Sequence, residues 1–275
     1  MAKLTSVLIP TYNRAHTLKR AIDSVLAQRD ESLECLVIDD GSTDDTLELF
    51  SGYQDSRLKL IQSEDNRGVS AARNLGFTHA QGDYIALLDS DDEWLNHKLA
   101  VQTPLLADYP LVHGEEIWIR NGRRVNPKKI HEKSGGDLFI RSLGLCLISP
   151  SASVMKRDLY EEMQGFREDF PVCEDYELWL RITQKYEVAF VSDPVINKYG
   201  GHEDQLSQKY KAMDYWRVKA MALLQSTTTL TQTQRVALEE QMLKKCLILE
   251  QGYLKHQSNQ EHLSFVREQL GVLRG

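Results

Sequence analysis

The chain has 275 residues, of which 41% are hydrophobic and 27% charged, and a net charge of −7. That size and balance describe an ordinary soluble globule with one large α/β domain, or one domain and an appendage. They argue against a nucleic-acid binder, and no apolar run comes near the length that spans a bilayer.

The first hundred residues repeat one pattern. Short β-rich runs occur at Ser6–Ile9, Cys35–Ile38, Leu58–Ile61 and Tyr84–Leu88. Helical patterns lie between them. Leu18, Ile22, Val25 and Leu26 share one face, a second helix starts near Thr46 after the cap-like Ser42-Thr43, and a third covers Val69 to Ala80. Alternating strand and helix predicts βαβ units and a mostly parallel central sheet flanked by helices. Ligands of such sheets bind beyond the carboxyl ends of the strands.

After Pro110 the pattern changes. Ile117–Arg120 and Arg124-Val125 flank Asn121-Gly122, a hairpin signal. A mixed apolar stretch around Leu143 to Met155 predicts another strand, Glu174 to Lys185 a helix, and Val188–Val191 a further strand. From Gln205 onward only helices are predicted, broken between Thr227 and Thr233, with Leu238, Met242, Cys246 and Leu249 as a stripe that packs on the main domain. Residues 205–275 carry +4 and the remainder −11. A basic tail on an acidic body suits an anionic membrane face or a partner, although a solvated helical face is the plainer reading.

Cys35, Cys146, Cys173 and Cys246 are far apart and form no zinc or disulfide pattern. The start, Met1-Ala2-Lys3-Leu4, lacks the regions of a signal peptide. The expected compartment is the cytoplasm, with peripheral contact at the inner membrane face through the basic tail.

The polar stretches after the strands hold the candidate chemistry. They are Pro10-Thr11-Tyr12-Asn13-Arg14, Asp39-Asp40-Gly41-Ser42, Glu64–Gly68 with Ala71-Ala72-Arg73-Asn74, and Asp89-Ser90-Asp91-Asp92. Alone, Asp39–Ser42 reads as a turn with a helix cap, Asp89–Glu93 as a solvated helix start, and Arg73 as a surface charge. Together they set a tyrosine, arginines and carboxylates along one sheet edge. No P-loop or GxGxxG cradle is present, so a phosphorylated ligand would be met by arginines and a metal. Clustered carboxylates prefer hard cations such as Mg²⁺ or Mn²⁺.

The segments "VLIPTYNRAHTLKRAIDSVLAQ", "LVIDDGSTDDT", "NRGVSAARNLG" and "GDYIALLDSDD" resemble, in order, the signatures of the inverting family 2 glycosyltransferases, whose fold is the nucleotide-sugar-binding α/β domain called GT-A. The resemblance runs from about Ser6 to about His202. It implies that residues 1–204 form the catalytic domain, with a nucleotide-binding half of about 1–110 and an acceptor half of about 111–204. Residues 205–275 are then a helical carboxyl-terminal extension. Pro10, Tyr12 and Arg14 would line the nucleoside pocket, Asp40 would accept a hydrogen bond from uracil, and Arg73 would contact the nucleotide. Asp89-Ser90-Asp91 is the DxD element, with Asp89 on the ribose or sugar and Asp91 on the metal; Asp92 would support them or cap a helix. "VCEDYELWLRI" resembles the ED motif, which makes Asp175 the general base and Glu174 its support. His202 corresponds to a histidine that related enzymes supply as an extra metal ligand, and Gly200-Gly201 would let its loop flex.

The expected activity is therefore metal-dependent, inverting transfer of a sugar from a nucleotide-diphosphate donor, a UDP-sugar, to a hydroxyl of a surface glycan or lipid-linked saccharide. A sugar-nucleotide nucleotidyltransferase would want a Gly-rich basic loop after the first strand, where Pro10–Arg14 offers one Arg and no Gly. A non-catalytic nucleotide-sugar-binding protein would not need Asp40, Asp91 and Asp175 together.

Overall fold

The structure is a computed structural model that describes residues 3–29, 32–201, 210 and 212–274. In its amino-terminal half β1 (Thr5–Thr11), β2 (Leu33–Asp39), β3 (Leu58–Gln62) and β4 (Tyr84–Leu87) alternate with α1 (Ala15–Leu26), α2 (Thr46–Ser51) and α3 (Val69–His79). Every residue of β1, β2 and β4 is buried. Helices cover both faces of these strands, so both faces must be close-packed. Leu18, Ala21, Ile22 and Val25 of α1 join Val7, Ile9 and Val37 in one core, while Ala72 of α3 joins Leu8, Leu36 and Ile38 on the other face.

The chain continues through β5 (Glu93–Trp94), α4 (Lys98–Gln102), β6 (Leu111–Arg120), β7 (Arg123–Val125), α5 (Phe139–Gly144), β8 (Ser153–Lys156), α6 (Arg157–Glu162), α7 (Glu174–Thr183) and β9 (Ala189–Gly200). Among the described residues, nine strands form one sheet in the order β3-β2-β1-β4-β8-β6-β9-β5, with β7 paired to β6. β1 to β4, β6 and β9 run the same way; β5, β7 and β8 oppose them. The mostly parallel sheet expected from the sequence is present. Asn121 (φ 49°) and Gly122 (φ 72°) both take left-handed backbone at the β6–β7 turn, as a two-residue hairpin of this hand requires.

Two local expectations change. Between Leu143 and Met155 the strand is confined to Ser153–Lys156, because Phe139–Gly144 is helical and Pro150 opens a 3-10 turn. The acidic run after β4 does not start a helix. It leads into β5, where Glu93 and Trp94 pair antiparallel with Asn197 and Ile196 of β9.

The carboxyl-terminal region forms α8 (Met213–Thr227), α9 (Gln232–His256) and α10 (Gln260–Arg274). The break falls where the threonine run lies, and Thr231 with Gln234 makes a reciprocal capping box at the start of α9. Leu238, Met242, Cys246 and Leu249 are buried against Phe139 and Leu143 of α5, Tyr176 and Leu180 of α7, and Val218 and Met221 of α8. The tail thus buttresses the helix that begins with Glu174-Asp175. The junction drawn at 204/205 lies outside the described residues.

Gly82 lets β4 enter beside β1. A Cβ there would sit 2.5 Å from the Ser6 amide nitrogen and 2.7 Å from the Leu4 carbonyl oxygen, both backbone atoms. Gly82→Ala should destabilise the protein by about 1–3 kcal/mol through overpacking, read as a lower midpoint in denaturant.

Candidate active site

The loop after β4 is fixed from three sides. Ser151 Oγ accepts from the Asp89 amide at 3.1 Å and donates to Asp92 Oδ2 at 2.6 Å. The Tyr199 amide of β9 donates to Asp92 Oδ1 at 2.9 Å. Arg20 of α1 donates to the Asp91 carbonyl and stacks on the Tyr199 ring at 3.6 Å. Asp92 is buried, and burial, with Asp91 beside it, raises its pKa well above the carboxylate range. Its role is to hold the loop. Asp91 instead lines a cavity of about 250 Å³ together with Arg14, Thr17, Arg20, Asn121 and Tyr199.

Arg73 joins this loop to α7. It is 2% exposed; Nη2 donates to Asp89 Oδ1 at 2.7 Å and Nη1 to Glu174 Oε1 at 2.8 Å. Its plane lies over the Phe166 ring at 4.7 Å. Burial opposes the guanidinium charge, but Asp89 and Glu174 outweigh burial and raise its pKa. Glu174 is pushed up to about 7 by burial first and by Asp175 second, with Arg73 pulling the other way. The sequence suggested a nucleotide contact for Arg73; its side chain is engaged with these two acids. The signal was an arginine on a helix whose neighbours Ala71 and Ala72 are apolar.

Asp175 follows on α7, just after Cys173, a non-glycine residue at φ 61°. Acids suit the start of a helix, and the buttressing α5 and α8 fix its direction. Asp175 is half-buried. Its Oδ2 accepts from Cys146 Sγ at 3.4 Å, and burial and then Asp175 push the Cys146 thiol well up, which keeps it a donor. Nearby on β9, Lys198 donates to Ser149 Oγ at 2.5 Å. Burial opposes its charge, but Glu116, Asp92, Asp89 and Asp175 outweigh that and raise its pKa. Sequence reasoning missed Cys146, Ser149 and Lys198.

The other candidates gather at the carboxyl ends of β1 and β2. The Asp40 amide donates to the Thr11 carbonyl at 2.9 Å. The Asn13 amide donates to Ser42 Oγ at 2.9 Å, and the Thr43 amide to Asn13 Oδ1 at 2.7 Å. These bonds lock the two loops together. Pro10 is buried and Arg14 half-buried, while Tyr12 is 43% exposed, an open aromatic surface. The buried Asp40 carboxylate accepts from the Arg67 and Gly68 amides at 3.0 and 2.7 Å, so it also anchors the start of α3, which carries Arg73. His202 lies outside the described residues.

Among the described residues, no group of three or more His, Cys, Asp or Glu converges as a ready-made metal cage. Asp89 bonds to Arg73 and Asp92 to Ser151 and Tyr199, and Asp91 lines the cavity. One carboxylate fits an ion such as Mg²⁺ or Mn²⁺ that completes its shell with water and substrate phosphates.

The glycosyl transferase family 2 model matches residues 6–164. Two Escherichia coli proteins are similar along most of their length. WfgD, a UDP-Glc:α-D-GlcNAc-diphosphoundecaprenol β-1,3-glucosyltransferase, is 33% identical over 76% of this chain and 82% of its own. WfaP, of the same description, is 30% identical over 77% of this chain and 83% of its own. Among solved structures, Staphylococcus aureus TarS 1-349 with UDP-GlcNAc has a TM-score of 0.79 at 20% identity, covering 98% of this chain and 80% of that one. The Pyrobaculum calidifontis mannosyltransferase PcManGT with GDP-Man and Mn²⁺ has a TM-score of 0.70 at 19% identity, covering 99% and 75%. The chain belongs to glycosyl transferase family 2, has the GT-A fold and is a glycosyltransferase.

Glu174 gives a pH test. Below pH 4.5 both folded and unfolded chains hold its proton; between 4.5 and about 7 the unfolded chain loses it first. Stability from this group is therefore full below the lower value and is lost as pH rises through the upper one. Relative to wild type, Glu174→Gln should gain stability between pH 4.5 and 8, on the order of 3 kcal/mol. Parallel denaturant curves at the two pH values check it.

Proposed function

We propose that the protein transfers a sugar, with inversion and with a divalent ion, from a UDP-sugar to a hydroxyl of a lipid-linked saccharide. The observation that carries this is Arg73, which bonds to Asp89 of the donor loop and Glu174 of the base helix at once. One side chain thus links the two segments that would carry donor and acceptor chemistry. The donor and acceptor classes are those in the names of WfgD and WfaP, and UDP-GlcNAc in the TarS complex agrees with the donor.

Tyr12 offers an exposed ring to the uracil beside Asp40, and Pro10 and Arg14 complete the nucleoside wall. Asp89 would meet the ribose or sugar through the oxygen that Arg73 leaves. Asp91, with His202, would hold Mn²⁺ or Mg²⁺, which when bound neutralises the charge that develops on the departing diphosphate. Arg14 and Arg20 at the same cavity add fixed positive charge. Asp175 takes the proton as the acceptor oxygen forms its bond to the anomeric carbon and the bond to UDP breaks on the opposite face. Cys146 donates to the base oxygen and orients it.

Among the described residues no helix is long and apolar enough to cross a membrane. Val236, Ile248, Leu254 and Val272 are exposed on the terminal helices, and with the +4 charge of the tail they support peripheral contact with an anionic membrane surface.

Asp175→Asn should keep UDP-sugar affinity and lose turnover by about 10²–10⁴-fold. Wild-type turnover in that variant would remove the base assignment. Asp91→Ala should abolish the increase in thermal midpoint that UDP with Mn²⁺ produces over UDP alone; an unchanged increase would contradict its metal role.

A further inference from the structure

The acceptor side of the cleft carried no motif, yet it holds an ordered group of polar and aromatic side chains. Glu116 and Trp118 lie on one face of β6, and Trp118 is in register with Lys198 of the parallel neighbour β9. Parallel partners project to the same side of the sheet, so Trp118 and Lys198 stand together. Trp118 Nε1 donates to Glu116 Oε2 at 2.8 Å. Lys133 donates to Glu116 Oε1 at 2.8 Å and to the Leu147 carbonyl at 2.8 Å. The Glu116 side chain is 1% exposed and that of Lys133 5%. A buried, fully paired set of this kind fixes the indole in one orientation. Trp118 itself is only half-buried, between His131, 5.1 Å from its ring, and Arg120, 5.4 Å from it.

The position of this group is set by a four-residue segment. Cys146 touches Asp175, Leu147 binds Lys133, and Ser149 binds Lys198. Three residue steps cover at most about 10 Å. The Trp118 cluster is thus within a saccharide's reach of the base carboxylate. A half-open indole held in one orientation by buried, paired charges is a platform for the C–H face of a sugar ring.

Resting on the glycosyltransferase reading, we infer that Trp118, held in place by Glu116 and Lys133, forms the stacking wall of the acceptor-sugar subsite, and that the sugar whose hydroxyl reaches Asp175 lies against the Trp118 indole. Trp118 would then set acceptor affinity without touching the nucleotide.

The probe is an α-N-acetylglucosaminyl diphosphate carrying a short alkyl chain, with UDP-glucose as donor. The chain has four tryptophans, and the indole N–H resonance missing from Trp118→Phe identifies the one at issue. In the wild-type protein that resonance should shift on titration with the probe. The acceptor KM should rise about tenfold or more in Trp118→Ala, while Trp118→Phe recovers most of it and UDP affinity stays within about twofold in both. If wild type transfers glucose to the probe while the Trp118 resonance stays still, the subsite is wrong and the enzyme reading stands. That resonance belongs to the wild-type protein, so the test survives if Trp118→Ala does not fold. If wild type neither binds the probe nor transfers to it, the acceptor class fails and the subsite with it.

Discussion

A single buried guanidinium ties this molecule's chemistry together. Arg73 leaves α3 near the middle of the fold and grips one acid from the loop after β4 and another from the start of α7. Asp89 and Glu174 are 85 residues apart in sequence (174 − 89), and nothing local holds the two segments in register. A planar fork with fixed donor directions can set both distances at once, which a flexible ammonium cannot. Burial and then the neighbouring Asp175 hold the Glu174 pKa up at about 7 even with Arg73 against it.

Around this pivot the other polar groups divide the work. Asp92 and Ser151 lock the loop after β4 to β9, Asp40 locks the α3 start, and Arg20 clamps the loop from α1. Asp91 lines the cavity, and Asp175 is half-buried in the first turn of α7. The terminal helices contribute from behind: Tyr176 of α7 bonds to the Leu143 carbonyl and is packed with residues of α9. Preorganisation of this kind means that little reorganisation is needed at the moment of transfer.

Much of this was legible in the chain because local patterns carry it. Period-two and unbroken apolar runs marked β1 to β4, and Asn121-Gly122 marked its hairpin. The stripe from Leu238 to Leu249 marked a buried helix face. The acids at successive strand ends pointed to one edge of one sheet. What stayed hidden depends on contacts distant in sequence. β5 is a strand only because β9 lies alongside it; by itself the acidic run favours a helix start. Arg73 looks like any helical arginine until Glu174 is placed 2.8 Å away. Cys146, Ser149 and Lys198 form no motif, since their meaning comes from an irregular segment passing between α7 and β9.

The most direct measurement is turnover of Arg73→Lys at saturating donor and acceptor, with folding verified by its thermal transition. One ammonium cannot reach both Asp89 and Glu174 in the fork geometry, so donor loop and base should lose alignment and turnover should fall by about a hundredfold. A folded Arg73→Lys protein that turns over like wild type would show that the two acidic segments need no such bridge.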